Sequence, residues 1–323
     1  MPELDPAMAT ILELVRKQAL QPYEAMPAAL ARAEAERRNA FWNADPVPLV
    51  RVEEATAVAG GREVRVRLYA AEPRRAGSAP APCVLYFHGG GWVFCSPDTH
   101  DNVCRRLAGA GDLVVASVDY GLAPECPFPE GLDDCAAALR WLRREGPELG
   151  IDPERLALAG DSAGANLALA LCLKLRDAGE PQPRAAALVY GAFSDDLDSP
   201  SHAAFGGGGH ILSTAMMRWF WDHYVPDPVL RRDPLASPLH ADLRGLPPLY
   251  VSAAEFDPLR DDSERLARRL VDAGVDFDYR LWRGVTHACF NMSRLLPAAD
   301  GFVADVAAFL GRELLGPVAR TRA

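Results

Sequence analysis

The 323-residue chain is 49% apolar and 24% charged, a balance that builds a large core and excludes an intrinsically disordered chain. Its formal net charge of −10 argues against a nucleic-acid partner and against docking on an anionic membrane. Cys83, Cys95, Cys104, Cys126, Cys135, Cys172 and Cys289 are scattered without a C-x-x-C pair, the pattern of reduced thiols rather than of a disulfide frame or a metal site.

The N-terminus, Met1-Pro-Glu-Leu-Asp-Pro, has no basic stretch ahead of an apolar run, so no secretory signal is expected and a cytoplasmic location is. No run reaches the ~18 uncharged apolar residues of a membrane span. Leu167–Leu175 comes nearest, and Lys174 breaks it.

Asp5-Pro6 reads as the cap and first residue of a helix whose apolar face is Met8, Ile11, Leu12 and Val15. A second helix is expected from Ala28 to Phe41, its Arg37 and Arg38 interleaved with Glu34 and Glu36 as a solvated face. From Val50 the period becomes two, with strands at Val50–Ala57 and Glu63–Ala70 around Gly60-Gly61. A loop over Glu72–Pro82, rich in Pro, Ala and Arg, is expected to be exposed.

Strands and helices then alternate. Strands are expected at Cys83–His88, Leu113–Asp119, Leu156–Ala159 and Ala185–Tyr190, separated by helices at Thr99–Ala110, Gly131–Glu145 and Ala163–Asp177. That rhythm implies a mostly parallel sheet covered on both faces by helices. It breaks over Asp195–Asp242, which holds Gly206–Gly209 and a helical Thr214–Tyr224, and which reads as an insertion or lid. The sheet resumes with Tyr250–Ala253 and Phe277–Trp282, with helices at Ser263–Ala273 and Pro297–Leu310.

Gly160-Asp-Ser162-Ala-Gly164 is a G-x-S-x-G turn between an apolar strand and a small-residue helix, a setting that exposes Ser162 as a nucleophile. His88-Gly89-Gly90-Gly91-Trp92 ends another apolar strand. Three consecutive glycines there suit a loop whose N–H groups hold an oxyanion, with His88 bracing it. Asp257, held beside Pro258, and His287 each follow a later strand in a short loop, while Asp261 and Asp262 read as helix-capping or surface groups. His100, His202, His210, His223 and His240 lack such a setting and are expected on the surface or in the insertion.

The order Ser162, Asp257, His287 is that of α/β-hydrolases. With Asp119-Tyr-Gly-Leu-Ala-Pro-Glu125, Phe128-Pro129, Glu255–Asp262 and Gly284–His287, the chain resembles the hormone-sensitive-lipase family, within it the bacterial acetyl-esterase-like carboxylesterases (family IV). The resemblance implies an α/β-hydrolase fold with a helical cap. It places N-terminal cap helices at 1–46, the catalytic core at 47–194 and 243–323, and the cap insertion at 195–242. Two departures are Gly121, where the family usually has Arg, and Ala165, where it often has Gly.

The expected reaction is hydrolysis of short-chain acyl esters through a Ser162-His287-Asp257 triad and an acyl-enzyme. Gly89, Gly90, Gly91 and Ala163 would form the oxyanion hole, and Trp92, Asp161, Trp219 and Phe220 the substrate pocket, without cofactor or metal. An amidase on the same triad stays open, because the leaving group is not encoded in the triad. A non-catalytic receptor on this fold would be expected to lose the His. Neither monomer nor homodimer is selected by any of these features.

Overall fold

The computed structural model describes residues 3–71, 79–111 and 113–316. Most of the loop expected at Glu72–Pro82, residues 72–78, lies outside them. Helix α1 (Pro6–Lys17) starts where the Asp5 carboxylate accepts the N–H groups of Ala7 at 2.8 Å and Met8 at 3.2 Å. Helix α2 (Ala28–Asn39) follows, and then the antiparallel hairpin of β1 (Arg51–Ala59) and β2 (Arg62–Ala70).

The alternating region comprises β3 (Ala81–Phe87), α3 (Asp101–Gly109), β4 (Val114–Asp119), α4 (Glu130–Glu145), β5 (Ile151–Asp161), α5 (Ala163–Asp177) and β6 (Ala186–Val189). Helices α6 (Pro200–Phe205) and α7 (Thr214–Tyr224) come next, before β7 (Leu249–Phe256), α8 (Arg260–Ala273), β8 (Phe277–Thr286) and α9 (Ala298–Leu315).

The eight strands form one sheet in the order β1-β2-β4-β3-β5-β6-β7-β8, parallel from β4 onward. Both faces are covered, so central strands are apolar throughout and alternate residues serve different cores. In β3, Cys83, Leu85 and Phe87 join the core beneath α4, α5 and α8, while Val84 and Tyr86 join the one beneath α1, α3 and α9. Each such apolar side chain contributes roughly 1.5–3 kcal/mol on burial.

Strand β4 lies on one side of β3 and β5 on the other, so the chain reverses its direction across the sheet at this point. Open α/β sheets form a crevice at the carboxyl ends of the strands flanking such a reversal. His88 and Ser162 stand at those two ends.

Three strands run further than the sequence pattern suggests. β5 begins at Ile151 rather than Leu156, because Ile151 pairs with Ala81 while the intervening polar Asp152–Arg155 masks the pattern. β7 extends to Phe256, which puts Asp257 directly at its end. β8 continues through Gly284 to Thr286. Gly284 takes a φ of +74° opposite a register shift at Ala254/Phe256, and so makes a bulge where the sequence suggests a loop.

The N-terminal segment divides between two sides of the molecule. α1 lies against β8, with Asp5 N–H donating to the Gly284 carbonyl at 2.8 Å. Beyond α1, the Tyr23 ring sits 4.7 Å from Phe94, and the Ser213 hydroxyl ahead of α7 donates to Glu24 at 3.3 Å. Arg32 of α2 donates to the Val93 carbonyl at 2.7 Å and to that of Ala123 at 2.6 Å.

Helix α5 can follow β5 at once only because the Gly160 and Gly164 backbones pack against each other and against the end of β3. A Cβ on Gly164 would lie 1.8 Å from the Phe87 carbonyl oxygen, far inside van der Waals contact. Gly164→Ala therefore lowers the free energy of unfolding by about 2 kcal/mol or more, since backbone must shift to admit one methyl. Urea denaturation followed by circular dichroism measures this, and an unchanged midpoint would show that α5 has room to move.

Candidate active site

The tight turn between β5 and α5 leaves Ser162 with φ +55° and ψ −119°, a conformation that costs a non-glycine residue on the order of 1–3 kcal/mol. Its N–H donates to the Val189 carbonyl at 2.9 Å, and its own carbonyl accepts from Asn166 at 3.2 Å. The hydroxyl is directed at His287, with Oγ 2.9 Å from Nε2. His287 Nδ1 lies 2.7 Å from Asp257 Oδ2. A carboxylate at that distance accepts a hydrogen bond from Nδ1–H, which leaves the Nε2 lone pair to accept one from the serine hydroxyl.

Asp257 is fully buried, and its other oxygen accepts the Leu259 N–H at 2.9 Å across Pro258. The carboxylate is thus fixed by its own loop before it meets the imidazole. Three side chains from the ends of β5, β7 and β8 form one hydrogen-bonded line.

The glycine loop closes the other side of the turn. Gly90 and Gly91 N–H and the first N–H of α5, on Ala163, have no acceptor among the described residues. Gly89 differs from them, because its N–H donates to Asp161 Oδ1 at 3.0 Å. The same oxygen accepts the Tyr86 hydroxyl at 2.7 Å.

Asp161 therefore faces the glycine loop from inside and is 3% exposed, so it does not line a pocket as expected. Burial alone would raise its pKa. The neighbouring His100 and the Tyr86 hydroxyl overcome that and hold it below the usual carboxylate value. His88 braces the loop as anticipated, with Nδ1 donating to the Gly89 carbonyl at 2.8 Å and its ring stacked on Tyr120. Burial pushes its pKa down to about 4, so the ring is neutral.

A family model described as the alpha/beta hydrolase fold matches residues 84–291. The chain belongs to the α/β hydrolases. Carboxylesterase NlhH of Mycobacterium tuberculosis is 40% identical to the hydrolase over 259 residues, covering 78% of this chain and 80% of that protein. The ethyl acetate hydrolase of Pseudomonas putida is 35% identical over 308 residues, 92% of this chain and 95% of that one. The solved structure of a hyperthermophilic esterase from Pyrobaculum calidifontis matches with a TM-score of 0.90 at 36% identity, covering 96% and 98% of the two chains. The hydrolase is a carboxylic ester hydrolase, and the resemblance to the hormone-sensitive-lipase family stands. Among its described residues no helix is long and apolar enough to cross a membrane.

Several side chains of the hydrolase lie elsewhere than expected. Trp92 is 1% exposed, stacked on Tyr224 with centroids 4.2 Å apart and 4.9 Å from Trp221. The turn after the glycines folds its ring under α7, away from any pocket mouth. Phe220 is the cap aromatic that meets the loop, since a Cβ on Gly91 would overlap its ring. Trp219 is half-buried one residue earlier, against His223.

His100 is buried rather than superficial, and His202, which falls in the expected insertion, is buried as well. His202 bonds Thr214 Oγ1 at 2.9 Å, and burial lowers its pKa. Gly121 leaves no room for a longer side chain, as a Cβ there would lie 2.8 Å from Cys126. Charge at that turn comes from elsewhere in the chain. Arg62 pairs with Asp134, which accepts the Gly121 N–H at 2.9 Å, and Arg32 pairs with Glu125.

Asp262 is neither a helix cap nor a surface group. It is buried and accepts the N–H groups of Phe193 at 2.8 Å and Ser194 at 3.0 Å, tying α8 to the loop after β6. Burial pushes its pKa up to about 8 against the pull of those donors. A folded-state pKa above the unfolded one favours the fold at low pH, and that contribution is lost as pH rises from about 4 towards 8. Asp262→Asn, which keeps a carbonyl oxygen for both donors and carries no charge, is therefore expected to exceed the parent's unfolding midpoint by a margin that grows from pH 5 to pH 9. Thermal denaturation at the two pH values checks this, and an equal shift at both would mean that Asp262 is ionised throughout.

Proposed function

We propose that the protein is a serine carboxylesterase acting on short-chain acyl esters. The observation that carries the reading is the continuous line from Asp257 through His287 to Ser162, at 2.7 and 2.9 Å. Ser162 attacks the ester carbonyl as His287 takes its proton, and Asp257 holds the ring and stabilises the imidazolium. The Gly90, Gly91 and Ala163 N–H groups hold the oxyanion. Each such donor is worth ~2.7–4 kcal/mol in related catalysis. The acyl-enzyme forms as the alcohol leaves with the proton from His287, and water activated by the same ring releases the acid.

The second half of the reading is the size of the acyl group. Residues 195–242 and 1–46 serve as a cap over a core of 47–194 and 243–323. Phe220, lying against Gly91, closes the crevice beside the glycine loop, with the buried Trp92–Trp221–Tyr224 cluster packed behind it. A closed apolar pocket gains ~0.8 kcal/mol per methylene until full, after which strain reverses the trend. Relatives named ethyl acetate hydrolase and acetyl esterase agree with a small acyl group. All seven cysteines are unpaired, which suits the cytoplasm.

Ser162→Ala is expected to abolish turnover of p-nitrophenyl acetate while circular dichroism stays unchanged. An organophosphonate should label Ser162 of the parent and no other residue, as read by mass spectrometry. Label elsewhere in active protein would overturn the assignment.

Across p-nitrophenyl esters from acetate to palmitate, kcat/KM is expected to rise over the first few carbons and fall beyond about hexanoate. A maximum at about twelve carbons or more would mean an open acyl groove.

A further inference from the structure

The buried ring of His100 touches two of the loops that form the site yet contributes no atom to it. It stands at the start of α3, 2% exposed, with its centroid 5.6 Å from that of His88 and 6.2 Å from that of Tyr86. Thr99 determines one side of it. The Thr99 hydroxyl lies 2.8 Å from the Ser96 carbonyl and accepts the Ser96 N–H at 3.0 Å. The same oxygen lies 2.8 Å from His100 Nδ1 and ties the ring to that turn.

His100 Nε2 then faces two partners. Asp161 Oδ1 is 3.4 Å away and the Asn291 side-chain amide 3.0 Å away; with the amide oxygen turned to the ring, one Nε2 proton serves both acceptors. Asp161 directly precedes Ser162 and takes the Gly89 N–H. Asn291 ends the short turn Cys289–Asn291, four residues beyond His287. Its amide has no other partner among the described residues, the atom turned away from the ring being buried and unbonded. Burying an amide for one contact is costly unless that contact has a use.

We propose that His100, with Asn291, is a positioning residue that holds the oxyanion loop and the His287 loop in register through Asp161. The proposal rests on the triad reading given above. Gly90 and Gly91 have to present their N–H groups to the tetrahedral oxyanion rather than to the substrate carbonyl. Loosening the brace behind Gly89 therefore weakens the transition state and leaves ground-state binding alone.

His100→Ala is expected to lower kcat about 10- to 100-fold with KM within about threefold, by the logic of an interaction made only in the transition state. The rate of phosphonate labelling of Ser162 should fall in parallel, since the phosphonyl oxygen uses the same donors. His100→Gln, whose amide reaches both partners, should recover most of the kcat. Asn291→Ala should lower kcat about tenfold, and the double variant His100→Ala/Asn291→Ala should be no slower than His100→Ala, as expected for residues acting as a unit.

Rates are taken per site titrated by phosphonate, so a partly unfolded sample does not count as a slow one. If His100→Ala does not fold, Asn291→Ala decides alone. A native kcat per titrated site in whichever variants fold, with only the melting temperature lowered, would make the ring a plain core group and overturn the proposal. Activity retained in Ser162→Ala would instead overturn the triad reading beneath it.

Discussion

The close approach of α5 to the end of β3 is the constraint on which the rest depends. With no side chain at Gly160 or Gly164, the α5 backbone packs directly on the Phe87 carbonyl. The chain is then forced to turn within one residue, and Ser162 takes a left-handed φ that a relaxed serine avoids. Packing of the helix against the sheet supplies the energy for that conformation. The hydroxyl comes to stand at the mouth of the crevice with the first N–H of the helix beside it, ready for negative charge.

Around that turn, neighbouring acids do different work because their surroundings differ. Asp257 has an imidazole and a backbone N–H as partners. Asp161 has Tyr86, Gly89 and His100, and stays ionised despite burial. Asp262 has only two backbone donors, and burial wins. Asp261 accepts the Ser201 N–H at 2.9 Å and thereby attaches α6 to the loop that carries Asp257. The loops and the insertion are thus bound to the sheet by buried polar contacts as well as by apolar packing. Such contacts are costly to break and specify one arrangement.

Much of this was legible in the chain. The alternation of apolar strands with helices implied a parallel sheet, and α5 and α7 have the bounds their patterns suggested. The Gly-Asp-Ser-Ala-Gly turn, the glycine run and the order Ser162, Asp257, His287 pointed to residues that the fold brings into one hydrogen-bonded line. Local motifs of this kind are readable because each encodes a backbone shape at one strand end.

What only the tertiary structure decided concerns side chains whose partners are distant in sequence. Nothing near His100 announces Asp161 or Asn291, 61 and 191 residues further on. Asp262 looks like any acid in the first turn of a helix until the loop after β6 closes over it. Trp92 sits beside the catalytic-looking glycines, yet it turns away because Tyr224 and Trp221 arrive from α7 to stack on it. Sequence alone set the strand ends, the tight turns and the reactive residue types, because those follow from backbone sterics within a few residues. Burial, ionisation and the direction of a long side chain depend on what packs against it, and that is settled only when the sheet, the helices and the insertion meet.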